Sequence, residues 1–127
     1  MARVLVVDDN PAMRLVARAM LEADGHEVAE AGDGGEAVRA FREQAFDLVL
    51  CDLDMPDQDG VGTIRALRAL DPGARVVAMS RGHRSCPGLD LVRLARGLGA
   101  QEGLRKPFGR LALVAAVARA LGAPAVP

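Results

Sequence analysis

Short apolar runs alternate with amphipathic stretches five times along this chain of 127 residues, and that alternation leaves few folds open to it. The runs span residues 3–7, 27–30, 47–51, 75–79 and 101–105. After the first, Asn10-Pro11 reads as a helix N-cap with Pro at the first helical position. Met13, Val16 and Met20 mark one face of that helix, and Gly25 ends it. Asp33 with Glu36 three residues later resembles a capping box, and Ala37, Val38, Phe41 and Ala45 give the second helix its apolar face. Val61, Ile64 and Leu67 stripe the third. A fourth helix is expected near 89–98, stopping at Gly99. A fifth is expected over 109–121, with Leu113, Val114, Val117 and Leu121 on one side. The third run is apolar throughout after Asp47, as in a strand covered on both faces, whereas Gly103 weakens the fifth. Strands and helices in this order predict an α/β fold: a doubly wound parallel sheet of five strands with helices on both faces. Residues 1–121 are expected to form one domain and 122–127 a short tail, with no output domain.

Composition narrows the function classes. Half of the residues are apolar, which argues against disorder, and with three Phe, no Trp and no Tyr the core must be aliphatic. No apolar stretch reaches membrane-spanning length, and no secretory leader pattern opens the chain. Cys51 and Cys86 lack metal-ligand spacing, and the cytoplasm is the expected compartment. The near-zero net charge conceals a division. Residues 1–60 carry 5 basic and 14 acidic side chains, and residues 61–127 carry 11 and 3. The basic half is nearly all Arg, with no Lys/Arg block or interleaved aromatics, so direct nucleic-acid binding is not expected.

Polar residues stand at the ends of four of the five runs: the pair Asp8-Asp9, then Asp52, Ser80 and Lys106. In a parallel sheet these ends share one edge, where open α/β sheets place ligands. Three carboxylates, one ammonium and one hydroxyl can hold a divalent cation and a phosphoryl group together. Mg²⁺ prefers oxygen ligands and keeps several waters, so two carboxylates and a carbonyl suffice for the protein's share. Clustered carboxylates raise one another's pKa, and a cation relieves that conflict. Phosphoryl transfer asks mainly for positioning and electrostatic stabilisation.

The segments Val4-Leu-Val-Val-Asp-Asp9, Ala31-Gly-Asp-Gly-Gly-Glu-Ala37, Asp47-Leu-Val-Leu-Cys-Asp52, Met55-Pro56 with Asp59-Gly60, Gly99-Ala100 and Lys106-Pro-Phe108 follow one another in a telling order. Over residues 3–121 the chain resembles the receiver domain of bacterial response regulators, of the stand-alone chemotaxis-regulator type. The resemblance implies a flavodoxin-like strand order 2-1-3-4-5 and a phosphorylated switch in place of a metabolic enzyme. It implies that Asp52 is the phosphoacceptor. Mg²⁺ would be held by Asp8 (through water), Asp9, Asp52 and the backbone carbonyl of Asp54, and Ser80 and Lys106 would contact the phosphoryl group. A cis peptide before Pro107 is implied as well. The implied partners are a histidine kinase or phosphotransfer protein and an unknown protein receiving the output, with no nucleic acid and no membrane.

Three departures stand out. Gly103 occupies the place of the usual switch aromatic. Arg81, a potential modulator at the site mouth, follows the hydroxyl where a small residue is usual. The stretch from Ser80 to Gly99 is about four residues longer than usual, with the excess before the fourth helix. Two further readings stay open: a binding module of the same fold used without phosphorylation, and a haloacid-dehalogenase-type phosphohydrolase suggested by Asp52-Leu53-Asp54. Asp57 and Asp59 read as turn formers, His26 and His83 as surface residues, and Cys51 as core filler.

Overall fold

The computed structural model describes residues 1–55, 60–81 and 91–122. Five strands, β1 (Arg3–Val7), β2 (Glu27–Ala31), β3 (Leu48–Asp52), β4 (Val76–Ser80) and β5 (Glu102–Arg105), alternate with five helices, α1 (Pro11–Ala23), α2 (Gly34–Glu43), α3 (Gly60–Leu70), α4 (Leu91–Gly97) and α5 (Arg110–Gly122). All neighbouring strands are parallel, and their spatial order is β2-β1-β3-β4-β5. That is the doubly wound sheet and the strand order expected.

Strand alternation divides the core into two layers. Val4, Val6, Leu48, Leu50, Val77 and Met79 face one way, and pack on Ala17 and Leu21 of α1 and on Leu113, Ala116 and Val117 of α5. Leu5, Val7, Val49, Cys51, Val76 and Ala78 face the other way, towards Ala37, Ile64, Leu67 and Ala95 of α2, α3 and α4. The central strands β3 and β4 are buried along their whole length. A sheet covered on both faces leaves its carboxyl edge as the natural place for chemistry.

The helix starts follow their local signals. Asn10 Oδ1 accepts from the backbone N–H groups of Ala12 and Met13, with Pro11 in the first turn. Asp33 Oδ1 accepts from Glu36 N, while Glu36 Oε2 reaches back to Gly32 N, one residue before the cap. Gly25 and Gly99 take positive φ where α1 and α4 end.

Several expectations need correction. The third and fourth strands run one residue further than the apolar pattern, so Asp52 and Ser80 are the last strand residues and not the first loop residues. Ala45 is not on the face of α2: the helix ends at Glu43, Gln44 turns to extended backbone, and Ala45 is exposed. Val16 is 45% exposed, because Ala17 and Leu21 with Met13 and Met20 form the inward face of α1. His26 is not a surface residue; its Nδ1 accepts the backbone N–H of Ala2 at 3.1 Å, and its side chain is 10% exposed. Asp57, Asp59, His83, Cys86, the lengthened loop before α4 and the tail beyond residue 122 lie outside the described residues.

Candidate functional site

The carboxyl ends of β1, β3, β4 and β5 converge, and the β1–β2, β3–β4 and β4–β5 pairings each extend one step past a strand end. Asp8 N donates to Ala31 O at 3.1 Å, Leu53 N to Met79 O at 2.8 Å and Lys106 N to Ser80 O at 2.8 Å. The residues just beyond the strands are thus tied into the sheet by backbone hydrogen bonds. The centre lies between β1 and β3, where the strand order reverses and ligands of such sheets bind.

Asp8 and Asp52 are fixed in the same way. Each folds one carboxylate oxygen onto its own loop as an Asx turn: Asp8 Oδ1 accepts from Asn10 N at 2.9 Å, and Asp52 Oδ1 from Asp54 N at 3.0 Å. Each turns its other oxygen to Lys106, whose Nζ lies 2.8 Å from Asp8 Oδ2 and 3.2 Å from Asp52 Oδ2. Asp8 is 0% and Asp52 2% exposed. Asp9 is exposed and completes the cluster: one carboxylate oxygen from each of Asp8, Asp9 and Asp52 lies within 4.8 Å of the other two. Two buried carboxylates share one ammonium and a third, from Asp9, stands beside them, an oxygen-only donor set with uncompensated negative charge. That set fits a hard divalent cation such as Mg²⁺.

Sequence reasoning missed three supporting groups. Arg14 Nη1 donates to Asp8 O at 2.7 Å while its Nε pairs with Glu30 Oε1 at 3.1 Å, bracing the acidic loop from α1. Gly60 opens α3 against the backbone of the Asp52 turn; a Cβ there would stand 2.4 Å from Asp52 O and 2.7 Å from Leu53 Cα. The third is the side chain of Asp54, of which the family resemblance used only the backbone carbonyl. Its Oδ1 accepts from Ser80 Oγ at 3.2 Å and its Oδ2 from Arg81 N at 2.8 Å. Spacing along the chain gives no sign of Arg14 or Asp54, because both act across the fold. Gly60 shows in sequence only as part of the Asp59-Gly60 segment of the family resemblance, with no sign of its close approach to the Asp52 turn. Of the expected site residues, Asp8, Asp9, Asp52 and Lys106 meet directly, Ser80 joins through Asp54, and Arg81 is exposed with its amide at the site. Gly103 sits within β5 opposite Ala78. The Lys106-Pro107 peptide is cis, as the resemblance implied.

The charges are in tension. Burial pushes the Asp52 carboxyl above its ordinary pKa; the Asp54 amide and Lys106 oppose the shift and Asp8 adds to it. Burial works against the Lys106 ammonium, but Asp8 and Asp52 outweigh it and raise its pKa. The Cys51 thiol, buried beside Asp52 and Asp8, is pushed up to about 12, so it stays protonated at neutral pH as inert filler.

These directions have opposite consequences for stability. A carboxyl whose folded pKa is raised weakens the fold wherever it is ionised, and the penalty fades as pH falls through the folded pKa towards the ordinary 3.8. The raised Lys106 stabilises fully below its ordinary 10.5 and loses that contribution as pH rises through its folded pKa. Metal-free urea melts should therefore show Asp52→Asn more stable than wild type at neutral pH, with the gap narrowing as the pH is lowered towards 4. A gap that widens on acidification would contradict the assignment.

A match to the response regulator receiver domain family spans residues 4–118. The chain belongs to that family, the signal-receiving module of two-component systems. Chemotaxis protein CheY of Bacillus subtilis is 34% identical over 107 residues, covering 84% of this chain and 86% of that protein. Transcriptional regulatory protein ZraR of Escherichia coli is 36% identical over 118 residues, covering 93% of this chain but 26% of that protein, so the chain spans about a quarter of that relative's length. Among solved structures, the response regulator TrrA of Thermotoga maritima in complex with Mg²⁺ and beryllofluoride superposes with a TM-score of 0.78 at 28% identity, covering 94% of this chain and 98% of that one. Among the described residues no helix is long and apolar enough to cross a membrane.

Proposed function

We propose that this chain is the phosphoacceptor of a two-component relay, taking a phosphoryl group from a histidine kinase or phosphotransfer protein onto Asp52. The observation that carries this reading is Lys106 Nζ set between Asp8 Oδ2 and Asp52 Oδ2, with Asp9 completing the acidic cluster. An Asp52 oxygen attacks the phosphorus of a phosphohistidine, the P–N bond breaks, and its electron pair returns to the imidazole. Carboxylates that form aspartyl phosphates are a recognised class of nucleophile. Asp8, Asp9, Asp52 and the carbonyl of Asp54 are the groups that would hold Mg²⁺, Asp8 through water. The cation would supply charge neutralisation on the transferring group. Lys106 offers a positive charge to the product oxygens, and Ser80 a hydrogen bond. The modified domain then alters its affinity for a protein partner. We place this switch in the cytoplasm, without direct nucleic-acid or membrane binding by the receiver itself.

The test is exposure to acetyl phosphate with and without Mg²⁺, read by intact mass. One phosphoryl group per chain is expected with Mg²⁺ and none without it. Labelling independent of Mg²⁺ would contradict the reading.

Gly103 favours a second reading, a binding module used without phosphorylation, because the family's usual route couples a moving hydroxyl to an aromatic ring at that position. If phosphorylation does occur, the glycine predicts weak coupling to β5. Amide NMR shifts of Ala100–Leu104 should move less on phosphorylation than those of Ser80 and Lys106. Larger shifts in β5 would overturn that expectation. The phosphohydrolase reading calls for Asp54 as an acid beside the nucleophile, whereas its carboxylate is turned to Ser80 and Arg81.

A further inference from the structure

Asp54 is exposed in the loop after β3, yet both of its carboxylate oxygens are engaged. The Ser80 hydroxyl donates to one and the Arg81 amide to the other. A hydroxyl and a backbone N–H from consecutive residues at the end of β4 thus clasp a carboxylate two residues from Asp52. This is an anion clasp, occupied by an anion of the chain's own. Ser80 is also the hydroxyl that the phosphoacceptor reading gives to the phosphoryl group.

We propose that Asp54 is an intramolecular competitor for the phosphoryl group, holding the Ser80 hydroxyl and the Arg81 amide until a phosphoryl group on Asp52 displaces it. This inference rests on the phosphoacceptor reading. A phosphoryl group at Asp52 brings further oxygens and charge to the clasp, and it accepts the same two donors. The displaced Asp54 carboxylate turns to water, which costs little because the residue is already exposed. Asp54 therefore sets a modest bias between two arrangements and leaves the switch reversible. The device also ties the loop after β3 to the end of β4 before phosphorylation and unties them after it. That is a change at the sheet edge itself, requiring no aromatic at Gly103. Asp54 acts through Ser80 and Arg81 and is a positioning residue.

Beryllofluoride, which stands in for an aspartyl phosphoryl group, is the probe, titrated at saturating Mg²⁺ with Mg²⁺ affinity measured separately. Removing two charge-assisted hydrogen bonds at an exposed site should make Asp54→Ala bind it roughly fivefold to tenfold tighter than wild type. Asp54→Asn, which keeps one acceptor oxygen, should fall between the two. In a Ser80→Ala background the gain from Asp54→Ala should shrink by more than half on a logarithmic scale. Equal or weaker binding by Asp54→Ala overturns the proposal. So does a gain undiminished without Ser80, because simple charge repulsion would then explain it. If wild type with Mg²⁺ binds no beryllofluoride, the phosphoacceptor reading fails and this proposal with it. If wild type binds and the Asp54 variants bind no tighter, the competitor alone fails.

Discussion

Asp52→Asn is expected to abolish Mg²⁺-dependent uptake of a phosphoryl group from acetyl phosphate, to the level of a reaction without protein. The amide keeps the shape of the side chain and its Asx turn but has no nucleophilic carboxylate oxygen. Neither Asp8 nor Asp54 is placed to replace it. Asp8 is buried with one oxygen in its own turn and the other on Lys106, and both Asp54 oxygens are engaged by the end of β4. The same substitution should stabilise the metal-free fold at neutral pH, because it deletes a buried carboxylate whose charged form burial disfavours. Lost labelling together with increased resistance to urea separates a missing nucleophile from a damaged fold. Uptake undiminished in the variant would exclude Asp52 as the acceptor.

Lys106→Met should have the opposite effect on stability. The methionine fills nearly the same volume but leaves Asp8 and Asp52, both buried, without their shared counter-charge. Breaking a buried pair by removing one partner strands an uncompensated charge, and a loss of about 3 kcal/mol is expected in the metal-free protein at neutral pH. Saturating Mg²⁺ should restore much of that loss, since a cation on the same carboxylates offsets their repulsion. Phosphoryl uptake should fall even in Mg²⁺, because the positive charge that the phosphoacceptor reading offers to the product oxygens is gone. Urea melts with and without Mg²⁺ give the first result, and labelling rates the second. A variant as stable as wild type without metal would mean that Lys106 is not the counter-charge of the pair.

The fold was legible because its signals are local and repeat. Apolar runs of strand length, the Asn10-Pro11 cap and the Asp33 cap each fix an element without reference to the rest of the chain. The errors fell where tertiary packing decides. Val16 and Ala45 are apolar residues left outside the core, and only the seating of α1 and the end of α2 reveal this. At the site, Asp8, Asp9, Asp52 and Lys106 could be read in advance because parallel strands bring their carboxyl ends together whatever the loops do. The Asp54–Ser80–Arg81 contact could not, since 26 residues separate Asp54 from its hydroxyl partner. The same holds for Arg14, whose contact with the Asp8 carbonyl depends on where α1 lies against β2.

The acidic cluster matters only if the phosphoryl group ends on the carboxylate that Lys106 and the Asp54 amide aim. Wild-type protein treated with acetyl phosphate and Mg²⁺, reduced with borohydride to convert any acyl phosphate into an alcohol, and mapped by tandem mass spectrometry locates that group. The expected result is conversion of Asp52 and of no other residue. Conversion at Asp8, Asp9 or Asp54, or a phosphoryl group retained on Ser80 with Asp52 intact, would contradict it.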